Sequence, residues 1–264
     1  MDVPDAVVRQ RECQSHIDKK RVVKNMRLFS RGSKKGRSGR VAERGQSMVE
    51  MALAFPILLL ILAGTLEVGK YFNDYLTILD ATREAARYAA DSDLFLAAEP
   101  STNCDDNFYH QAACLAQQNI SGISFNKETD DIVVSAMSVD SNGHIIARFP
   151  RACSDPVPPS FLPDYCDARV DTSEEGWSYC EHITQTGCKV TASRFSNAAI
   201  ESMLAQSPNS PATGLVIVEI YRLHKQFLGL IPPGMAFLPQ EVVMHAYTTM
   251  PLPSAAAPPS NTGP

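Results

Sequence analysis

Apolar residues are spread unevenly along this chain. The densest run is Met51–Leu66, MALAFPILLLILAGTL, which carries no charge and is bracketed by Glu50 and Glu67. Widened to Met48–Gly69, the run is long enough to cross a hydrocarbon layer of ~30 Å at ~1.5 Å per residue. Past it, Tyr71–Ala90 contains no Gly or Pro. Tyr75, Leu79, Thr82 and Ala86 recur there at helical spacing, with Phe72 and Leu76 on an adjoining stripe. The pattern predicts one helix from Met48 to about Asp91, roughly 65 Å long. Pro56 removes one of its backbone hydrogen bonds and marks a point where it can kink. The outer half of this helix is expected to pack on the chain's own sheet, and Glu67 to face headgroups or water.

Beyond Pro100 the periodicity changes. Asp105–Ile120 reads as a short helix. DDIVVSAMSVD and HIIARFP read as two strands joined through Ser141-Asn142-Gly143, because Asn-Gly between apolar runs favours a tight hairpin. Cys153–Cys188 is rich in Pro, Cys, Asp and Ser and reads as a stapled loop. Arg194–Gln206 is a second short helix. Gly214–Phe227 and Glu241–Met250 alternate like half-buried strands, separated by LGLIPPGMAFLP. The fold class is α+β: a long N-terminal helix, short helices and an antiparallel sheet of about four strands.

Charge changes how the apolar run is read. Met1–Gly45 holds 13 Lys and Arg against 5 Asp and Glu, and the remaining residues hold 11 against 24. Arg27, Arg31, Lys34, Lys35, Arg37, Arg40 and Arg44 precede the run. Lys70, Arg83 and Arg87 follow it. This asymmetry orients a membrane span with its N-terminus in the cytoplasm and the C-terminal part outside. The basic segment is thus expected to be an orientation signal rather than a nucleic-acid tail. The apolar run is longer than a secretory signal core, and AGTLEVGK is a poor small-residue cleavage site. The organisation expected is a basic, disordered leader at 1–45, a membrane span at 46–69 and a helical extension at 70–99. A cysteine-containing outer domain at 100–250 follows, then a Pro/Ala/Ser-rich disordered tail at 251–264.

Cys13 lies in the leader, whereas Cys104, Cys114, Cys153, Cys166, Cys180 and Cys188 lie on the expected outer side. An even number in an exported domain suggests disulfides. Sequence does not choose among the pairings. Grouping as near neighbours gives Cys104–Cys114, Cys153–Cys166 and Cys180–Cys188, each closing a short loop. The rival is zinc on Cys166, Cys180, His182 and Cys188, but no Cys-x-x-Cys pair is present to build it.

Catalytic chemistry finds little support. There is no phosphate-binding glycine loop, no Gly-x-Ser-x-Gly and no His-Glu-x-x-His. His110 and Cys114 share a helix face, a spacing that a structural bridge explains more simply than a nucleophile pair. Asp130-Asp131 and Asp140-Ser141-Asn142-Gly143 cluster oxygen ligands, yet no twelve-residue loop ending in Glu follows, so turns are expected rather than calcium. Asn119-Ile120-Ser121 matches a glycosylation sequon. No cofactor, metal or enzymatic activity is expected.

The segment Arg44–Ala90 resembles the TadE-like proteins of the tight-adherence (Flp) pilus system. Three features carry the resemblance: Gly45 followed by Glu50 at the head of the apolar run, ALAFPILLLILAGTLEVGK with its early Pro and late Glu-x-Gly, and ATREAARYAA after it. The stretch around LGLIPPG is loosely similar to the family's C-terminal part. The chain departs from the pattern in its long leader and in Met51, where an aromatic is frequent. The resemblance implies a non-enzymatic, pilin-like outer domain in a minor pilin, or pseudopilin, of a type IVb pilus. It implies partners in other pilin-like subunits, the assembly platform and a prepilin peptidase that cuts between Gly45 and Gln46. The new α-amine of one subunit would then pair with Glu50 of its neighbour, because a carboxylate near the membrane core is costly unless paired; the alternative is that Glu50 sits at the interface, where hydration keeps its cost small. The competing expectation is an uncleaved, signal-anchored protein whose outer domain binds an unknown ligand. A membrane-tethered extracellular enzyme is a further alternative, for which the sequence shows no convergent titratable cluster.

Overall fold

The computed structural model describes residues 43–94, 107–120, 122–155, 166–184, 186–205, 213–226 and 240–255. The chain divides into two compact units, Met1–Pro56 and Ile57–Pro264. The expected leader before residue 43 and the LGLIPPG stretch lie outside the described residues.

Helix α1 runs Glu43–Ala90 with Pro56 inside it. In the first unit the described residues are its opening turns. In the second unit it is followed by α2 (Phe108–Asn119), β1 (Asp131–Val139), β2 (Ile145–Phe149), β3 (Trp177–Ser178), α3 (Asn197–Ala205), β4 (Gly214–Lys225) and β5 (Glu241–Leu252). The fold is α+β. The sheet is antiparallel in the order β2-β1-β4-β5, and β3 pairs with the other end of β1 on the β2 side. It has five strands rather than about four.

Local chemistry explains these elements. The β1–β2 hairpin turns through Asp140–His144, where the Asp140 carboxylate accepts the backbone N–H groups of Asn142 and His144, each at 2.8 Å. Gly143 adopts φ +83° there, a conformation that glycine reaches without a side-chain penalty. These N–H donors, His144 first, hold the Asp140 carboxyl below its usual range. Asp140 is thus committed to its turn, as expected. Helix α2 is capped by Asn107, whose side chain accepts the His110 N–H at 2.6 Å.

The two faces of the sheet bury different layers. One face presents Ile132, Val134, Ala136, Val216, Val218, Ile220, Met244 and Ala246 to α1 and α2. The buried line of α1 is Asp74, Ile78, Ala81, Thr82, Ala85, Ala86 and Ala89. Four alanines in that line let the helix sit close to the strands, and Thr82 Oγ1 meets Thr248 Oγ1 of β5 at 3.0 Å. The outer half of α1 thus packs on its own sheet. The phase of the stripe differs from the expectation at two places. Phe72 is 57% and Leu76 54% exposed, because the side facing the sheet is set by the alanines and not by the largest residues. The opposite sheet face packs Met137, Val139 and Ile217 against Ile200 of α3.

The stretch Cys153–Cys188 is more than a stapled loop: it contributes β3 and a π-turn at Cys180–Thr184. Past Pro251, strand β5 continues to Leu252 and a 3-10 turn covers Pro253–Ala255, with Leu252 and Ala255 fully buried. The part of the expected tail at 251–255 is therefore structured, and residues 256–264 lie outside the described residues.

Candidate functional site

The apolar run of α1 shows its side chains outward along its whole length: Met48 is 77% exposed and Leu60 65%, and Met51 through Leu62 leave their large apolar groups uncovered. Among the described residues, α1 is the helix long and apolar enough to cross a membrane. A soluble core helix would bury such a surface, since each apolar side chain left in water forgoes about 1.5–3 kcal/mol. Gly45 and Gln46 lie in the helical backbone of α1. Glu50 lies one turn further and is exposed.

Outside the run, α1 makes its first polar contacts with the sheet. Glu67 Oε1 lies 3.7 Å from His224 Nε2, and Asp74 Oδ2 lies 3.3 Å from His224 Nδ1. Lys70 pairs with the other oxygen of Asp74, and the Tyr71 ring meets His224 edge-on with centroids 5.3 Å apart. Glu67 therefore faces the outer domain rather than headgroups or water alone. Sequence reasoning passed over this cluster because His224 is far from Glu67 and Asp74 along the chain. Its only local signal was an acidic residue, Asp74, on the face that turns inward.

Elsewhere the polar groups are engaged in holding the outer domain together. Asp131 is fully buried and accepts from Ser178 Oγ at 2.6 Å, from the N–H groups of Cys180 and Thr191 at 3.0 and 2.9 Å, and from its own neighbour Ile132. Burial pushes its carboxyl up to about 6, against these donors. Glu219 is also fully buried and accepts from His245, Ser193, Tyr221 and the Arg194 N–H. Its burial raises the pKa, but the four donors outweigh that and leave the carboxyl below its usual range. Burial, then the Glu219 charge, pushes the Tyr221 phenol far up. Arg148 on β2 donates to the Phe195 carbonyl, Asn197 Oδ1 and Ser135 Oγ, tying the strand to the approach to α3.

The cysteines are placed as follows. Cys153 and Cys166 are bridged, with Cα atoms 4.9 Å apart, and so are Cys180 and Cys188, at 5.8 Å. Cys114 is disulfide-bonded; Cys104 and Cys13 lie outside the described residues. With Cys166, Cys180 and Cys188 oxidised, no thiolates remain for the zinc alternative. His182 is instead held between two acceptors, with Nδ1 2.8 Å from the Ser178 carbonyl oxygen and Nε2 2.8 Å from Asp167 Oδ2. Asp167 is held below its usual range: burial opposes this, but the His182 hydrogen bond and the Arg169 N–H overcome it. Among the described residues, no group of three or more His, Cys, Asp or Glu side chains is placed to hold a metal ion. Asp130 is engaged with Asn126, Thr129 and Leu223.

The arrangement is an exposed apolar helix fastened at its outer half to a disulfide-stapled sheet domain. Residues 45–87 match the family of TadE-like proteins. The match opens at Gly45, takes in Glu50 and the apolar run, and reaches Ala81, Ala85 and Ala86 of the line that packs on the sheet. No curated protein and no solved structure matches the chain.

Proposed function

We propose that this chain is a TadE-like minor pilin, or pseudopilin, of a Flp-type (type IVb) pilus system. It sits in the membrane by α1 with its N-terminus in the cytoplasm and its sheet domain outside. A prepilin peptidase cuts it between Gly45 and Gln46. Its other partners are pilin-like subunits and the assembly platform, reached through the helix. Its role is assembly rather than catalysis. The observation that supports this reading most is a coincidence of position. The TadE-like match begins at Gly45, and the exposed apolar helix begins within the same few residues. In an assembly, Glu50 pairs with the α-amine that cleavage creates on a neighbouring subunit. The pairing removes the cost of a carboxylate at the edge of the hydrocarbon.

N-terminal sequencing of the membrane-extracted protein tests the reading, using cells with and without an active prepilin peptidase. The expected start is Gln46, lost in the peptidase-deficient cells and in a Gly45→Val variant. An intact leader in peptidase-positive cells overturns the processed form and leaves the signal-anchored binding protein in its place.

A further inference from the structure

The apolar run of α1 ends at Leu66, and the outer sheet begins at that level. Three contacts set it. Glu67 lies 3.7 Å from His224 of β4, which is in register with Val242 of β5. Thr82 meets Thr248 of β5 at 3.0 Å. Leu94 donates its N–H to Ser254 Oγ, just past β5, at 3.3 Å. Both sequences ascend together, so α1 and β5 run parallel. The spacings agree: from Glu67 to Thr82 the helix rises about 22 Å, and from Val242 to Thr248 the strand rises about 20 Å. Strand β4, antiparallel to β5, therefore descends toward the run. Lys225 and Gln226 carry it about 6 Å past His224, level with the last turn of the run. The chain returns at the same level, where the Gln226 N–H reaches the Gln240 carbonyl at 3.2 Å and Lys225 pairs with Glu241 at 3.3 Å.

Between those two glutamines the sequence is FLGLIPPGMAFLP, thirteen residues with no charge among them. Left in water, such a stretch forgoes apolar transfer energy at each side chain. Its three prolines also lack the N–H donors that lipid cannot satisfy. We propose that the β4–β5 end of the sheet is a second membrane contact, with Phe227–Pro239 seated at the headgroup boundary of the outer leaflet beside α1. Thirteen residues that leave and return at one level are too few to cross the bilayer and come back. Irregular backbone is also excluded from the hydrocarbon centre, so the contact is shallow, about 5–10 Å deep. The exposed Lys225–Glu241 pair marks its water side. The consequence is orientation. A single helix can turn about its own axis in a bilayer, whereas a second contact fixes the rotation of the outer domain. The inference rests on α1 being the membrane span, and it holds whether or not Gly45 is a processing site.

Tryptophan quenching in the full chain tests this, with the protein reconstituted in phosphatidylcholine vesicles that carry bromine on the upper part of their acyl chains. Trp177, 2% exposed and paired with Val134 in mid-sheet, supplies an unquenched baseline. Phe227→Trp and Phe237→Trp each replace one ring with another, and the emission added by either is expected to fall about twofold in brominated lipid. Ser141→Trp, in the turn at the opposite end of the sheet, is expected to add emission that bromine leaves unchanged. Leu62→Trp, in the apolar run, should be quenched. If Leu62→Trp is quenched and neither phenylalanine replacement is, the second contact is overturned and the membrane span stands. An unquenched Leu62→Trp overturns both. Quenching of Ser141→Trp equal to that of Phe237→Trp also overturns the proposal, since the sheet then lies flat on the surface.

Discussion

Glu219 and His245 form a buried pair between adjacent strands, with His245 Nε2 2.9 Å from Glu219 Oε2. The His245 ring stacks on Tyr221 at 4.6 Å, and Tyr221 donates to the same carboxylate at 2.6 Å. Glutamine at 219 presents an N–H₂ group to at least one of four donors. Glu219→Gln is expected to lower stability by about 3 kcal/mol, the scale for breaking a buried charge network. Chemical denaturation at neutral pH measures it, and a loss below about 1 kcal/mol contradicts the assignment.

The same carboxylate sets an acid limit. The folded state holds Glu219 below its ordinary value of 4.5. The unfolded chain therefore binds the proton more readily, and stability falls as pH drops below 4.5 through the folded value. Asp131 acts in the opposite sense. Raised from 3.8 to about 6, it is protonated more readily in the folded chain, so its contribution shrinks as pH rises through that interval. In melting curves, the fall in wild-type stability as pH rises toward about 6 is expected to be lost in Asp131→Asn, and the acid-side fall below pH 4.5 is expected to be reduced in Glu219→Gln. Asp131→Asn is itself expected to cost about 2 kcal/mol at neutral pH, since an amide cannot accept from all four of its donors.

Gly176 is held at φ +78°, and a Cβ built on it would lie 2.4 Å from Ser135 Oγ and 2.9 Å from Val133 Cγ1. Both the conformation and the space exclude a side chain. Gly176→Ala should cost about 2–3 kcal/mol, from the left-handed backbone and from displacing β1. A melting temperature unchanged from wild type would show that β3 can detach without consequence.

Cys180–Cys188 closes a separation of 8 residues over the π-turn that carries His182. Replacing both with serine is expected to cost about 2–3 kcal/mol on the chain-entropy argument. The chain's single tryptophan, Trp177, stacks on His182 at 4.8 Å. Its fluorescence should therefore change at a lower denaturant concentration than the far-ultraviolet signal of the sheet. Coincident transitions in the variant would place this loop in the same cooperative unit as the strands.

Several features could be read in the residues because they depend on neighbours in sequence. The Asn142-Gly143 turn, the alternation of Gly214–Phe227 and the charge-free run at Met51–Leu66 are of this kind. Strand β3 was not legible. It is two residues long, and it forms because Gly176 turns left-handed and Trp177 meets Val134 across the ladder. The helix stripe was read from its large residues, which put Phe72 and Leu76 on a stripe adjoining it, and both are exposed. The sheet instead selects the alanine line, and it admits Asp74 because Lys70 and His224 come with it. The junction and the Glu219 network join residues that the chain brings together only on folding, and their spacing carries no motif.

Thr82 on α1 and Thr248 on β5 touch although 166 residues separate them. The alanine line of α1 is synthesised well before β5, the last of the described strands, yet the two complete the same side of the core. Until β5 arrives, the helix has only part of its counter-surface, and the central strand β4 lacks one neighbour. Loop closure over such a span is entropically costly and must precede the contacts that reward it. The outer domain is thus expected to close only after β5 has emerged. A ribosome stalled before Glu241 would hold out an unfinished, aggregation-prone sheet edge.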